Sequence, residues 1–326
     1  MSNIKRIGVF TSGGDAPGMN AGIRAVVRTA VYHNIEVYGI RRGYQGMIDN
    51  DIVSLNARSV ANIIQSGGTM LKTARCEEFM TADGRSKAAS NLKKLHIDGL
   101  VCIGGNGSYT GAMHLYNEHK IPTIGMPGTI DNDLYGTDFT IGYDTAINTA
   151  VDAIDKIRDT AGSHNRVFLV EVMGRDSGFI GMAVGISGGA EAIFIPESSN
   201  ELDNMMKHFK NKNRRNKSFS IGVVAEGDEQ GGAFHIQKKL LEAFPDLNIR
   251  TTILGHIQRG GSPTARDRVL ASQLGYEAVK SLIAGEKSKS IGIVGGEVIL
   301  TDFNDAINKA KNVSQEMIDM AQILSH

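Results

Sequence analysis

The chain has 326 residues, of which 39 are glycine and only 6 are proline. Its 35 basic and 35 acidic side chains cancel, and apolar residues make up 41% of it. This composition excludes a disordered chain, a collagen-like repeat and a polybasic tail, so no nucleic acid is expected as a partner. The length predicts two domains, because a typical domain has roughly 100–200 residues.

The two cysteines, Cys76 and Cys102, are too few for the disulfide framework of a small secreted protein. The first apolar stretch, residues 7–10, is too short for a signal peptide. No stretch approaches the length of apolar sequence that crosses a bilayer. We therefore expect a soluble cytoplasmic protein with no membrane partner.

Short apolar runs alternate with amphipathic stretches along the chain. Apolar residues recur at helical spacing in residues 20–32 and 145–158. A third helix is predicted to begin after an N-cap at Ser262, with Pro263 in its first position, and to end before Gly285. The alternation predicts an α/β fold with mainly parallel sheets. The predicted strands are residues 7–10, 37–40, 99–103, 123–126, 167–172, 192–195, 220–225, 251–254 and 291–294.

Glycine-rich loops follow the first and third predicted strands, at residues 11–20 and 104–111. Glycine at a strand-to-helix turn lets backbone N–H groups approach a phosphate. A tight turn explains one such loop equally well, but two in one domain favour phosphate binding. A dinucleotide-binding oxidoreductase is an alternative on these residues alone, although the acidic residue that would bind a ribose is missing. Walker and protein-kinase motifs do not occur.

The fourth predicted strand leads into residues 127–133, with the sequence PGTIDND. The carboxylates of Asp131 and Asp133 can hold a metal or act as a base, and a solvated turn is the alternative. Arginine is suited to bidentate phosphate binding. Arginines near predicted loops are Arg75, Arg166, Arg175, Arg250 and Arg259.

Four segments, in order over nearly the whole chain, closely resemble motifs of the bacterial ATP-dependent 6-phosphofructokinases. They are residues 11–20 (TSGGDAPGMN), 127–133, 171–175 (EVMGR) and 255–263 (GHIQRGGSP). The resemblance implies two similar three-layer α/β domains and transfer of the ATP γ-phosphoryl group to the 1-hydroxyl of fructose 6-phosphate, in glycolysis. We expect a larger ATP-binding domain in residues 1–140 plus 255–305. A smaller fructose-6-phosphate-binding domain is expected in residues 141–254 plus 306–326.

The resemblance also implies residue roles. Asp131 would be the general base, while Thr129 and Arg175 would hold the transferring phosphoryl group and Asp133 would complete the catalytic set. The expected ATP-binding residues are Gly14, Tyr44, Arg75, Cys76, Asn106, Gly107, Ser108 and Gly111. The expected substrate-binding residues are Thr129, Asp131, Arg166, Met173, Gly174, Arg175, Glu226, Arg250, His256 and Arg259. Arg166 and Arg250 would come from a neighbouring subunit, since the family is homotetrameric.

Two positions bear on the phosphoryl donor. Pyrophosphate-dependent relatives carry aspartate at the position of Gly107 and lysine at that of Gly128. If the larger groups occupy space that the nucleotide needs, glycine at both positions favours ATP. A pyrophosphate-dependent phosphofructokinase stays an alternative.

Asn106 departs from the family, which has an aspartate associated with Mg²⁺ at this position. Asparagine keeps an oxygen ligand but loses the charge that attracts a hard dication. We therefore expect Mg²⁺ to arrive with ATP and to be held less tightly, or the rate to be lower. A catalytically weak regulatory paralogue that binds the same ligands is the second alternative.

The family's effector site, which binds ADP or phosphoenolpyruvate between subunits, is matched in part. Arg24 and Arg28 form a like-charge pair four residues apart, which an anion would relieve, and two solvated arginines are the alternative. A further family arginine falls at Ala57. The matching positions are Arg24, Arg28, Arg158, Glu191, Arg215 and Lys217.

Overall fold

A computed structural model describes residues 4–161, 166–198, 201–210, 220–227 and 231–325. The chain forms two compact units. The first unit contains Met1–Ile130, Leu134–Thr145 and Arg259–Ala310, and the second contains Asp131–Asp133, Ala146–Gln258 and Lys311–His326. The chain passes from one unit to the other at three main points, each within a few residues of a predicted domain boundary. The short segment Asp131–Asp133, which was predicted within the larger domain, belongs to the second unit.

The strands and helices of the described residues alternate along the chain, which confirms the predicted α/β class. The strands are β1 (Arg6–Thr11), β2 (Glu36–Ile40), β3 (Ile52–Leu55), β4 (Gly99–Gly104), β5 (Thr123–Pro127), β6 (Val167–Val172), β7 (Ala192–Phe194), β8 (Ser220–Ala225), β9 (Ile249–Ile253), β10 (Lys289–Val294) and β11 (Glu297–Asp302). The helices are α1 (Met19–Tyr32), α2 (Gly43–Asp49), α3 (Ala82–Lys94), α4 (Asn106–His119), α5 (Tyr143–Ala161), α6 (Phe179–Ser187), α7 (Glu201–Lys210), α8 (Ala233–Ala243), α9 (Ala265–Ala284), α10 (Phe303–Asn308) and α11 (Gln315–Leu324).

The first unit is built on a sheet with the strand order β11-β10-β5-β4-β1-β2-β3. Its central strands pair in parallel, while β3 and β11 are antiparallel edge strands. The second unit has the order β7-β8-β6-β9, and all of these pairs are parallel. All nine predicted strands are present, and the sequence pattern missed only the two antiparallel edge strands.

Burial explains why the central strands were recognisable. Every residue of β4 and of β8 is buried, which is typical of parallel strands covered on both faces. In β11, by contrast, no residue is fully buried. An exposed edge strand does not need a continuous apolar run, so its sequence carries a weaker signal.

Helix α1 packs its predicted apolar face against the sheet and against α9. Ile23, Val26 and Val27 are fully buried. At the crossing, a Cβ on Gly275 would stand 2.7 Å from the Cβ of Ala25 and 2.9 Å from the carbonyl oxygen of Gly22. The two helices approach this closely because glycine has no side chain there. Among the described residues, no helix is both long and apolar enough to cross a membrane.

The predicted start of helix α9 is wrong. The N-cap is Thr264, whose hydroxyl accepts the N–H of Asp267 at 3.3 Å. The helix begins at Ala265, so Ser262 lies too early to cap it, and the Ser262 hydroxyl instead donates to the carbonyl oxygen of Gln65 at 2.7 Å. The helix ends before Gly285, as predicted, and Gly285 has a left-handed φ of 91°.

Candidate functional site

The two glycine-rich loops lie side by side in the first unit. They follow β1 and β4, which are neighbouring parallel strands and therefore end at the same edge of the sheet. The Ser12 N–H donates to the carbonyl oxygen of Ile103 at 3.1 Å. A Cβ on Gly13 would lie 3.7 Å from the Ser108 hydroxyl oxygen. The structure thus brings both predicted phosphate loops together.

The second loop forms the N-terminus of α4, with Gly105 as the N-cap. A Cβ on Gly105 or on Gly107 would have no atom within 4 Å. Ser108 is buried and turns its backbone N–H inward, to the carbonyl oxygen of Gly105 at 2.9 Å. The start of the helix therefore offers open space at a helix N-terminus, an arrangement that suits an anion.

Asn106, the first residue of α4, holds an unused acceptor. Its side-chain oxygen is buried and has no hydrogen-bond partner in the part of the chain that the structure describes. No group of three or more His, Cys, Asp or Glu side chains that could hold a metal occurs among those residues. A single amide oxygen fits a Mg²⁺ ion that takes its other ligands from substrate phosphates and water.

Gly107 and Gly128 differ in their surroundings. The space beside Gly107 is open, so a larger side chain there would enter it. A Cβ on Gly128 would instead stand 2.8 Å from Ile103 Cγ2 and 3.0 Å from Met19 Cε. A larger side chain at position 128 would therefore have to displace these two neighbours, so the argument from open space rests on Gly107.

Tyr44 packs against the glycine-rich segment that begins α4. Its ring stacks on Phe79 with 4.0 Å between ring centroids, and its hydroxyl donates to the carbonyl oxygen of Ser108. A Cβ on Gly111 would stand 2.7 Å from the Tyr44 ring. Cys76 packs half-buried against the same apolar cluster. Tyr44 is buried, and Cys76 and Gly111 are half-buried, whereas Arg75 is exposed.

Arg259 lies on the first glycine loop. Its Nη1 atom donates to the carbonyl oxygen of Asp15 at 3.3 Å, and the same atom occupies the space that a Cβ on Gly14 would need. Arg259 was predicted for the sugar-phosphate set and Gly14 for the ATP set. The structure brings these two residues into direct contact within the first unit.

In the second unit, Asp131 is buried against an exposed arginine. The Asp131 side chain is 3% exposed, and its Oδ2 atom lies 3.5 Å from Nε of Arg175, whose side chain is 66% exposed. The Ser177 hydroxyl donates to the carbonyl oxygen of Asp131 at 3.3 Å. Thr129 lies two residues earlier and is half-buried. A fixed carboxylate therefore stands beside a guanidinium that still faces solvent.

The loop after β6 holds Arg175 in a left-handed conformation, with φ of 53°, after Gly174 with φ of 150°. Such a φ is uncommon for a residue with a side chain. The N–H groups of Gly174 and Arg175 donate to Oε1 of Glu226 at 3.3 and 2.8 Å. The N–H of Met173 donates to Oε1 of Gln258 at 2.9 Å. Three successive amides are thus fixed by two side chains.

Asp133 has a different environment from Asp131. Burial raises the pKa of its carboxyl above the usual range, and the nearby cations of Arg175 and Lys311 act in the opposite direction. Asp133 therefore keeps its proton to a higher pH than a solvated aspartate does. The two carboxylates of the loop are not equivalent.

Four predicted substrate residues lie at opposite ends of the small sheet, two at each end. Arg166 precedes β6 and Arg250 lies near the start of β9, at the amino edge. His256 is exposed in the turn Gly255–Arg259 after β9, at the carboxyl edge with Met173. Strand β6 has six residues, and at 3.3 Å per residue it separates the two edges by about 20 Å. One chain cannot bring Arg166 and Met173 to the same ligand.

The predicted effector residues are distributed over both units. Arg28 is exposed and Arg24 half-buried on α1, in the first unit. In the second unit, Arg158 donates to the carbonyl oxygens of Gly188 and Gly189. The N–H of Ile221 donates to Glu191 at 2.7 Å. Arg215 and Lys217 lie outside the described residues.

Sequence reasoning missed one side chain that organises the first unit. Asn20 donates to the carbonyl oxygens of Ser66 and Gly67, both at 3.1 Å, and accepts the N–H of Met70 at 2.7 Å. It fixes a third glycine-containing loop, whose sequence SGGT was a signal that could have been used. Gln258 was also overlooked, although it lies within a motif that the analysis singled out.

A family model described as Phosphofructokinase matches residues 6–282. ATP-dependent 6-phosphofructokinase of Cytophaga hutchinsonii is 53% identical over 322 residues, which cover 99% of this chain and 98% of that protein. ATP-dependent 6-phosphofructokinase 1 of Thermus thermophilus is 54% identical over 322 residues, covering 99% of this chain and all of that protein. Phosphofructokinase from Saccharomyces cerevisiae superposes with a TM-score of 0.87 at 34% identity, over 98% of this chain and 48% of the yeast chain. The chain thus spans about half the length of the yeast protein, and it belongs to the phosphofructokinase family.

Proposed function

We propose that the protein is an ATP-dependent 6-phosphofructokinase, which transfers the γ-phosphoryl group of ATP to the 1-hydroxyl of fructose 6-phosphate. The observation that carries the proposal is the buried Asp131 carboxylate, 3.5 Å from the exposed guanidinium of Arg175. The names of the similar proteins of Cytophaga hutchinsonii and Thermus thermophilus support the same reaction.

The first unit is proposed to bind ATP. Its paired glycine loops and the open N-terminus of α4 present backbone N–H groups to the phosphates. The buried side-chain oxygen of Asn106 is the group that would contact the Mg²⁺ of the nucleotide. That ion supplies charge neutralisation on the phosphate oxygens. Open space at Gly107 favours a nucleotide over pyrophosphate as the donor.

The second unit is proposed to bind the sugar phosphate and to carry the base. Asp131 accepts the proton of the 1-hydroxyl as that oxygen attacks the γ-phosphorus atom. The guanidinium of Arg175 faces solvent, so its N–H groups are available to the transferring phosphoryl group. Glu226 accepts the N–H groups of Gly174 and Arg175 and holds the Arg175 loop in place.

The distant arginines support a homotetramer with shared sites. Arg166 and Arg250 lie about 20 Å from Met173 along the sheet. The sugar-phosphate site of one subunit is therefore proposed to receive these two arginines from a neighbouring subunit. The α1 arginines, with Arg158 and Glu191, are proposed to bind an anionic effector, ADP or phosphoenolpyruvate. The free thiols of Cys76 and Cys102 suit a cytoplasmic enzyme.

A coupled assay for fructose 1,6-bisphosphate, with ATP and Mg²⁺, tests the function. We expect sustained turnover, and a loss of several orders of magnitude in the Asp131→Asn variant with an unchanged melting temperature. Exchange of ATP for pyrophosphate separates the two donor classes. An intact wild-type tetramer that binds both ligands without turnover would instead identify a regulatory paralogue.

A further inference from the structure

Gln258 is a fully buried polar side chain next to the proposed site, and it lies outside the roles assigned so far. Its exposed fraction is 0%. Its Oε1 atom accepts the Met173 N–H at 2.9 Å. Because only an oxygen can accept that N–H, the amide nitrogen points the other way. There Nε2 is buried and has no hydrogen-bond partner among the residues that the structure describes.

A buried donor that has no acceptor destabilises the folded state. An apolar side chain of similar length, such as methionine, would fill the same volume without that cost. Packing alone therefore does not explain a glutamine at position 258. What a methionine could not supply is the acceptor for the Met173 amide.

That amide begins the loop on which Arg175 stands. The next two amides, of Gly174 and Arg175, are bound by Glu226, so the two side chains together fix three successive N–H groups. Arg175 has a left-handed φ of 53° there, a conformation that an arginine keeps only where its surroundings enforce it. Glu226 comes from the end of β8, and Gln258 from the turn Gly255–Arg259 after β9.

We propose that Gln258 is a positioning residue for phosphoryl transfer, which acts through the Met173 amide to hold the guanidinium of Arg175 beside Asp131. The inference rests on the proposed function, since it assigns Gln258 to the same reaction. Gln258 belongs to the turn Gly255–Arg259, which also carries His256. The residue proposed to contact the sugar phosphate and the residue proposed to position Arg175 therefore lie in one turn.

The test compares Gln258→Met, which removes the acceptor, with Gln258→Glu, which keeps an oxygen at that place. We expect Gln258→Met to lower kcat about 10- to 100-fold, the size of effect that follows a small misplacement of a catalytic group. The KM for ATP and the melting temperature should change little. Gln258→Glu should recover most of kcat.

A double-mutant cycle with Arg175→Ala decides whether Gln258 acts through Arg175. In the Arg175→Ala background, Gln258→Met should lower kcat by less than about twofold, because the group that it positions is already gone. Gln237→Met is the matched control. Gln237 also joins two elements of the second unit, with its Oε1 atom accepting the Thr251 hydroxyl at 3.1 Å, and its replacement should leave kcat unchanged.

Amide hydrogen exchange of the peptide that contains Met173 gives a readout independent of turnover. Exchange should be faster in Gln258→Met than in the wild type or in Gln237→Met. Wild-type kcat in Gln258→Met, equal losses in the Met and Glu variants, or full additivity with Arg175→Ala would each overturn the inference. A wild-type protein without kinase activity would overturn the proposed function instead, and the exchange measurement would still test the contact.

Discussion

The guanidinium of Arg259 packs directly against Gly14, so closely that a Cβ on Gly14 would overlap its Nη1 atom. Both residues belong to the first unit, where Arg259 also donates to the carbonyl oxygen of Asp15. A residue predicted for the sugar phosphate thus shapes the loop predicted for ATP. Gly14 leaves room for an arginine as well as for a phosphate.

This contact predicts the effect of Gly14→Ala. The added methyl group would displace the end of the Arg259 side chain, which is flexible, so the free energy of unfolding should change by less than about 1 kcal/mol. We expect the KM for ATP to rise about tenfold or more, with a lower kcat. Steady-state kinetics and thermal unfolding measure the two effects. Gly107→Ala, which adds a methyl group to open space and displaces no protein side chain, separates a loss of ligand space from the displacement of Arg259. A strong destabilisation without a kinetic effect would refute the argument.

Asn106→Asp should strengthen the dependence on Mg²⁺. The substitution adds a charge at a buried oxygen that has no hydrogen-bond partner among the described residues, and carboxylate attracts this hard cation more strongly than an amide does. We expect the Mg²⁺ concentration for half-maximal activity at fixed ATP to fall about tenfold, within the range seen when metal environments are altered. Asn117→Asp, on the exposed side of the same helix, should have no such effect. An unchanged Mg²⁺ titration would remove Asn106 from the nucleotide site.

Mixed tetramers test the shared sites. Asp131→Asn and Arg250→Ala should each be inactive alone, because each removes one half of every site. If the two halves come from different subunits, randomly mixed tetramers restore about a quarter of the wild-type activity. Reassembly from dissociated subunits, followed by the coupled assay, measures this recovery. No recovery in tetramers shown by mass spectrometry to be mixed would place both residues in one subunit's site.

The buried carboxyl of Asp267 should make the free energy of unfolding depend on pH. Its buried carboxylate accepts the N–H of Gly142 at 2.9 Å and the N–H of Thr145 at 2.8 Å. Asp267→Asn replaces one acceptor with a donor facing an N–H, and should lower the free energy of unfolding by about 1–3 kcal/mol at neutral pH. Asp319→Asn, at an exposed position of α11, is the control.

The sign of the pH effect follows from burial, which raises the pKa of the Asp267 carboxyl. The folded chain then binds this proton more tightly than the unfolded chain does. The contribution of the group to stability is therefore largest below the ordinary aspartate pKa, and it falls as the pH rises through the higher pKa of the folded state. The free energy of unfolding can be measured from denaturation curves between pH 3.5 and roughly pH 7. The contribution of Asp267 to its slope against pH should be present in the wild type and absent in Asp267→Asn.

The central strands and the phosphate loops were predictable because they combine continuous apolar runs with glycine at the turns. The edge strands β3 and β11 were not, since an edge strand is half-solvated and its pattern is weak. The helix α9 cap was misplaced because two hydroxyls, of Ser262 and Thr264, fit the capping pattern equally well. In the folded chain Thr264 accepts the Asp267 N–H, while the Ser262 hydroxyl binds the Gln65 carbonyl oxygen.

The candidate site residues could be named from the sequence, but the contacts among them could not. Nothing in the sequence shows that Arg259 touches Gly14, or that Gly128 packs closely against Ile103 and Met19. Gln258 lay inside a recognised motif, yet its role depends on a hydrogen bond to a residue 85 positions away. Such contacts arise from the arrangement of strands and leave no local pattern.

The length of β6 has a consequence for how the protein would behave at low concentration. If its two ends hold different halves of a sugar-phosphate site, as proposed, a separated subunit carries two halves that cannot meet. Dilution would then abolish the activity of the protein while every chain remained folded. Its specific activity would depend on its own abundance, as the mass action of assembly requires.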